Sequence, residues 1–475
     1  MKHDLVLKNL RIIDPRNGVD MVGDLGVSGG KVAEIGSISG GKSVEDLSGM
    51  ACIPGLIDVH SHIEQAYLGR ACLADLAREG TTTVLDMAGP MDTVLDNVAK
   101  YGCGVNVGIV EAARPDTNLP GPTVDRATIT DFIEKTLQRG AYGIKVLGGH
   151  YPFDPDTTHT ILTETNKQRA HASFHVGTTA TASNLTGLRE AVAMSKDCQM
   201  QLCHVQGYLR GAVLGDPLLE VKEAMALLPT TENTVSESTL CELANDYATC
   251  KDGLPTSMVV RASLKLMGFE PTEEGMRTGI SKGVIRVVLS EGDRMYMIQG
   301  KPALEAFERA KTDILIMSPV NPRAVGLICA SAKDKGGHFI VDAITADGGN
   351  APRSVQIRYG LALVRFGCLT VNELAQKVSD NPARIIGLES KGHLGVGADG
   401  DITVLDLERG KTVMTIVGGQ VIMKDDRVFG QGGAIITTPK GEKALKGMGF
   451  SCVVNDPGRG WMYTPRSRRF AATSA

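Results

Sequence analysis

The stretch Pro54-Gly55-Leu56-Ile57-Asp58-Val59-His60-Ser61-His62 decides how the rest of the chain is read. It is an apolar run that ends in polar residues, the pattern of a buried strand reaching a site at its C-terminal end. Side chains alternate along a strand, so His60 and His62 point to the same side and both imidazoles can reach one ion. Taken alone the pair is a weak signal, because a chance H-x-H is not rare among ten histidines in 475 residues.

Outward from this run, strands alternate with helices for about 330 residues. LADLAREG is a helix closed by glycine, TTTVLDMAG a strand and MDTVLDNVAKYG a helix. The order continues through VNVGIVEAA, ITDFIEKTLQRGA, GIKVLGG, HASFHVGT, LTGLREAVAMSKD and QMQLCHVQG to HFIVDAITAD and SVQIRYGLALVRFG. Such repeated units, with strands apolar on both faces, predict a parallel sheet covered by helices, open or closed into a barrel. Residues 208–335 read as one barrel unit with an insertion, and VIRVVLSEG and TDILIMS compete there for a single strand slot. Short strands at both ends of the chain predict a small β-domain formed jointly by residues 1–52 and 388–437. The barrel then spans 53–387, and 438–475 reads as an irregular tail. That tail, around Trp461, Tyr463 and Pro465, is expected either to pack on a neighbour or to shield the mouth. Its RSRR run (Arg466 to Arg469) reads as solvated.

Composition narrows the function. Fifty basic against 54 acidic residues leave a formal charge of −4, which argues against a nucleic-acid binder. No apolar run is long enough for a membrane span, and the N-terminus lacks a signal-peptide pattern. Ten scattered cysteines without a CxxC pair fit reduced thiols and a cytoplasmic location.

Several polar residues stand at strand ends. His175 closes HASFH, His204 closes QLCH, Lys145 lies within GIKVL and Asp347 follows VDAITA. In a parallel barrel these ends converge on one mouth. Each residue also has a plainer reading: a hydrogen-bonded rim histidine, a snorkelling lysine, an aspartate in a Gly-rich turn. Asp342 is a second acidic candidate, but it lies mid-strand. The plain readings would all have to fall at strand ends by accident.

The PGLIDVHSH run, together with Asn381-Pro382-Ala383-Arg384 and Gly395-Val396-Gly397-Ala398-Asp399-Gly400-Asp401, closely resembles the metal-dependent amidohydrolase superfamily over nearly the whole chain. The branches it resembles are those of hydantoinases, dihydropyrimidinases, isoaspartyl dipeptidases and N-acyl-D-amino-acid deacylases. The resemblance implies a (β/α)8 TIM-like barrel with a small β-sandwich domain, two divalent metal ions, usually zinc, and a lysine carboxylated by CO2. Carried over, His60 and His62 bind the more buried metal and the Lys145 carbamate bridges both. His175 and His204 bind the exposed metal, and Asp347 binds the first and serves as general acid/base. The implied reaction is hydrolysis of a non-peptide C–N bond, in a cyclic amide or ureide or an N-acyl amino acid, by a metal-bridged hydroxide. A homodimer or homotetramer acting on a small molecule is the implied assembly.

The branch is less sharply marked. Dihydroorotase-like members carry an arginine soon after H-x-H, whereas this chain reads His62-Ile63-Glu64-Gln65. Hydantoinase-like members place a tyrosine five residues after the bridging lysine; here that position is His150, with Tyr151 next. Either could stabilise an oxyanion or be a solvated loop residue. The 29 residues from His175 to His204 resemble the deacylase and dipeptidase spacing. The deacylases' second-strand cysteine is missing from Val84-Leu85-Asp86-Met87-Ala88. Arg353 either forks onto a substrate carboxylate or makes a surface salt bridge. A deaminase on the same barrel and a non-catalytic relative are the alternatives; Lys145 weighs against the first, and the full ligand set against the second.

Overall fold

The computed structural model describes residues 3–64 and 66–470. Eight parallel strands form the centre: β1 (Leu56–Ser61), β2 (Thr81–Asp86), β3 (Asn106–Ala113), β4 (Gly143–Leu147), β5 (His171–His175), β6 (Met200–Leu202), β7 (Thr234–Thr239) and β8 (Ala343–Thr345). Each pairs with the next in order. The ring closes where Ser61 bridges Gly348, through His62 N–H donating to the Gly348 carbonyl at 2.8 Å and Asp347 N–H to His60 at 2.9 Å. A helix follows every strand, so this is a (β/α)8 barrel. The strands are buried throughout except at Glu111 of β3, because helices cover their outer face and side chains fill the lumen.

The helix starts follow local chemistry. Asp125, Asp154, Asn184 and Asp216 accept N–H bonds at the first turns of Arg126–Arg139, Pro155–Lys167, Leu185–Met194 and Pro217–Leu227. Ala71–Glu79 ends on Gly80 at φ 105°. A Cβ there would lie 2.3 Å from Thr403 Cγ2, so both backbone handedness and close approach require glycine.

Nine strands make the second sheet, from the segments before Leu56 and after Gly400. The two ends of the chain join where Ala51–Pro54 pairs antiparallel with Ile402–Asp406. Just ahead of that return, Arg16 Nε donates to Asp380 Oδ1 at 2.6 Å and Lys391 Nζ to Asp401 Oδ2 at 2.5 Å.

Four expectations need correction. The strand slot after β6 is filled by neither candidate run but by Thr234–Thr239, TVSEST, whose polar residues are paired inside the barrel. VIRVVLSEG and TDILIMS contribute Arg286–Glu291 and Leu315–Ser318 to a separate four-stranded antiparallel sheet. That sheet, with helices Met258–Leu266, Glu273–Ser281 and Lys301–Arg309, has its own core around Leu264, Ile280, Phe307 and Ile316. It is inserted between β7 and its helix Arg323–Ser331.

The strand Ile435–Thr437, expected in the β-domain, instead pairs parallel with β3 and with Cys452–Val454. The segment beyond it neither shields the mouth nor hangs free. Trp461 and Met462 join the main barrel core. Tyr463 Oη donates to Ala170 O at 2.6 Å, and Arg469 Nη1 to Thr234 O at 2.7 Å. Both acceptors lie at the starts of strands, opposite the mouth. Arg466 and Arg469 are therefore buried caps for free carbonyls, not a solvated run.

Candidate metal centre

The C-terminal ends of the barrel strands open into a cavity of about 690 Å³, roofed by the inserted sheet. His60, His62, Lys145, His175, His204 and Asp347 all line it. Strand β1 supplies His60 and, just past its end, His62, β4 the lysine, β5 His175, and the turns after β6 and β8 supply His204 and Asp347. Asp347 and His204 sit at φ 50° and 25°, strained backbone of the kind held in place at functional sites.

Donor atoms of His60, His62 and Asp347 lie within 4.8 Å of one another. Asp347 Oδ1 is 3.4 Å from His60 Nε2 and 3.2 Å from His62 Nε2. The ring centroids of His175 and His204 are 4.5 Å apart, and those of His60 and His204 5.1 Å. Lys145 Nζ stands 2.9 Å from His60 Nε2. Burial pushes His60 and His175 well below the ordinary imidazole range and His204 down to about 3. These three rings are thus held neutral, with lone pairs free to bind a cation. Burial acts the same way on His62, but its bond to Asp347 and the nearby Glu64 outweigh it and raise that imidazole. Burial opposes ionisation of Asp347, but Arg353 and the surrounding imidazoles outweigh it and hold the carboxyl well below its usual range.

Glu237 is the member of this group that sequence reading missed. It is fully buried in β7. Its Oε1 accepts from His60 Nδ1 and from the His204 backbone N–H, both at 2.6 Å, and its Oε2 from Thr345 Oγ1 at 2.5 Å. This fixes the His60 tautomer and aims Nε2 into the cavity. Asp58 accepts from Ser61 Oγ, Gln356 Nε2 and Ala346 N–H, tying β1 to the turn after β8.

The remaining candidates lie around the rim. His150 packs edge-on against His175 at 4.4 Å, with Nδ1 3.0 Å from Ser257 Oγ and 3.1 Å from Asp246 Oδ2 of the insertion. Tyr151 lies beneath the Arg114 guanidinium at 3.8 Å. Arg353 is not a surface residue: it is 1% exposed, with Nη1 3.1 Å from Asp347 Oδ2 and bonded to Asn245, while its buried Nε and Nη2 have no hydrogen-bond partner among the described residues. Asp342, mid-strand in the sequence reading, accepts from the Ser236 N–H, outside this cavity.

The donor set fits a metal pair. Imidazoles and a carboxylate suit divalent ions such as zinc. Lys145 Nζ is buried, and among the described residues no carboxylate lies within ion-pair distance of it. A lone ammonium among imidazoles is poorly matched there, whereas a carbamate on the same nitrogen would carry two oxygen donors.

Comparison with known proteins agrees with this architecture. The Amidohydrolase family profile matches residues 51–422, and the chain belongs to that family. It is 24% identical over 434 residues to the dihydroorotase of Streptococcus pneumoniae serotype 4, covering 86% of this chain and 92% of that one. Among solved structures, N-acyl-D-glutamate deacylase of Bordetella bronchiseptica, complexed with zinc and a phosphonate inhibitor, superposes with TM-score 0.64 at 15% identity. That match covers 92% of this chain and 99% of the deacylase. A chain of the formyltransferase/hydrolase complex of Methylorubrum extorquens superposes at 0.65 and 16%, covering 95% and 99%. The class is thereby fixed as a metal-dependent amidohydrolase acting on C–N bonds other than peptide bonds.

Proposed function

We propose that this protein hydrolyses a small amide, an N-acyl amino acid in preference to a cyclic amide, at a binuclear centre held by His60, His62, Lys145, His175, His204 and Asp347. The observation that carries the reading is the convergence of these six side chains, from five strand ends, on one cavity. Lys145 Nζ, on adding CO2 and releasing a proton, would become a carbamate able to help hold the metal ions. Two divalent metals, zinc for this donor set, would polarise the amide carbonyl and acidify the attacking water. Asp347 takes the proton from that water and passes it to the leaving nitrogen as the C–N bond breaks. Arg353 keeps the Asp347 carboxylate ionised and turned toward His60 and His62. His150 or Tyr151, at the cavity wall, donates to the developing oxyanion.

Preference for a linear substrate rests on Glu64. Where dihydroorotase-like chains carry an arginine, this chain has Glu64, which accepts from Tyr247 Oη of the insertion at 2.5 Å, so the dihydroorotase contact to a ring carboxylate is not reproduced at that position. The carboxylated lysine also separates this reading from a deaminase.

The ten cysteines are all unpaired, which supports a reducing, cytoplasmic setting. Leu218 and Leu219, with Leu327 on the next helix, are about half exposed on the outer barrel and support self-association as a dimer or tetramer.

Hydrolysis of N-acetyl amino acids, hydantoins and dihydroorotate by metal-loaded protein tests the function. Activity should favour the N-acetyl series. Asp347→Asn should lower kcat by about 10²–10⁴-fold. A preference for the cyclic series, or an unimpaired Asp347→Asn, would refute the respective assignment.

A further inference from the structure

Three arginines line the metal-centre cavity, and two of them are neutralised. Arg114 forks onto Asp116 at 2.7 and 3.0 Å. Arg353 faces Asp347. Arg210, partly buried in the loop after β6, has no carboxylate within ion-pair distance among the described residues. Its only hydrogen-bond partner there is a neutral amide: Nε and Nη2 donate to Asn321 Oδ1 at 3.1 and 2.9 Å.

The holder is firmly set. Asn321 N–H donates to Glu242 O at 3.1 Å and its Nδ2 to Cys241 O at 3.4 Å. Both ends of the insertion thus fix the guanidinium. Binding through Nε and Nη2 uses one edge of the fork and leaves the Nη1/Nη2 edge open, the edge that takes a carboxylate with two parallel bonds. Burial and the neighbouring Arg353 push Arg210 down to about 10, so an added negative charge would relieve both effects.

The position relative to the chemistry is close. Gly207 separates Arg210 from His204: a Cβ on it would lie 3.0 Å from His204 Nδ1 and 3.8 Å from Arg210 Nη2. The cation therefore stands one small residue away from the metal-binding ring.

We propose that Arg210, presented by Asn321, is the specificity residue that binds a substrate carboxylate lying within a few bonds of the scissile amide. This deepens the N-acyl amino acid reading, on which it rests. The open edge of a partly buried guanidinium with no carboxylate beside it, in a cavity whose other two arginines each face one, is the juxtaposition that carries it.

The test uses metal-loaded full-length protein and two probes. Succinate and its neutral counterpart succinamide are titrated while the melting temperature is followed, in the parent, Arg210→Gln and Arg210→Lys. Succinate should stabilise the parent, with the apparent affinity weakened about tenfold or more in Arg210→Gln. The lysine variant, which keeps charge but loses the fork, should fall between. Succinamide should shift none of them. Equal succinate affinity in parent and Arg210→Gln would overturn the proposal and mark the fork as satisfied by solvent. In parallel, the ratio of kcat/KM for N-acetylalanine over N-acetylalaninamide should collapse in Arg210→Gln, mainly through KM. Should Arg210→Gln melt too early to compare, Arg210→Lys carries the same decision. Failure to hydrolyse any amide would count against the proposed function, while the succinate comparison still decides on Arg210.

Discussion

Glu237 Oε1 accepts two N–H groups at once, one from a candidate metal ligand and one from the backbone of another. Such a carboxylate orients the ring and raises its basicity, and losing it typically weakens metal binding by about 10–100-fold. Glu237→Gln should therefore show that loss in chelator competition while the fold persists; unchanged affinity would make Glu237 a purely structural group. Five of the six ligand candidates were legible in the sequence because polar residues ended otherwise apolar strands, and Lys145 because a lysine stands inside the apolar strand Gly143–Leu147. Glu237 was not, since it lies in mid-strand among Ser and Thr, where nothing marks a buried carboxylate. Arg353 was legible as a mouth residue, but its partner was not: the backbone turn at Asp347 that brings the two together is a three-dimensional fact.

At the scale of elements, β7 shows why pattern reading fails at a site. TVSEST looks too polar for a barrel strand, yet its polar groups are paired. Ser236 binds Asp342, Glu237 the histidines, and Ser238 Gln206 at 2.9 Å. Buried polar groups with full partners are tolerated where apolar ones are expected. The helix Ala71–Glu79 offers a different test. Burial, reinforced by the nearby Asp75, pushes Glu79 from its ordinary 4.5 up to about 8. An acid whose folded pKa is raised gives stability that is complete below its unfolded pKa and is lost as pH rises through the folded value. The parent should thus lose melting temperature between about pH 5 and 8.5, the window set by that shift. Glu79→Gln should flatten the decline; parallel curves for the two proteins would show that Glu79 does not contribute to it.

At the scale of the whole molecule, the barrel is closed off at one end and roofed at the other. The C-terminal segment seals the starts of the strands, and the inserted sheet covers their ends. Neither arrangement was readable from composition: Gly, Pro and Arg in the final segment look like a tail until the carbonyls at the barrel floor are seen to need donors. Trp461 is buried in the barrel core and meets Phe470 edge-on at 5.7 Å. Trp461→Ala should cost about 3 kcal/mol or more, visible as a lower melting temperature, with metal content and KM unaltered. A raised KM instead would return the segment to the mouth.

The binuclear, carbamate-bridged centre is most directly tested by metal per chain. Protein purified with bicarbonate, and its Lys145→Ala variant, would be analysed by mass spectrometry of bound metal. About two ions per chain in the parent and markedly fewer in the variant is the expected result for a bridged pair. One ion per chain, unchanged by the substitution, would contradict it.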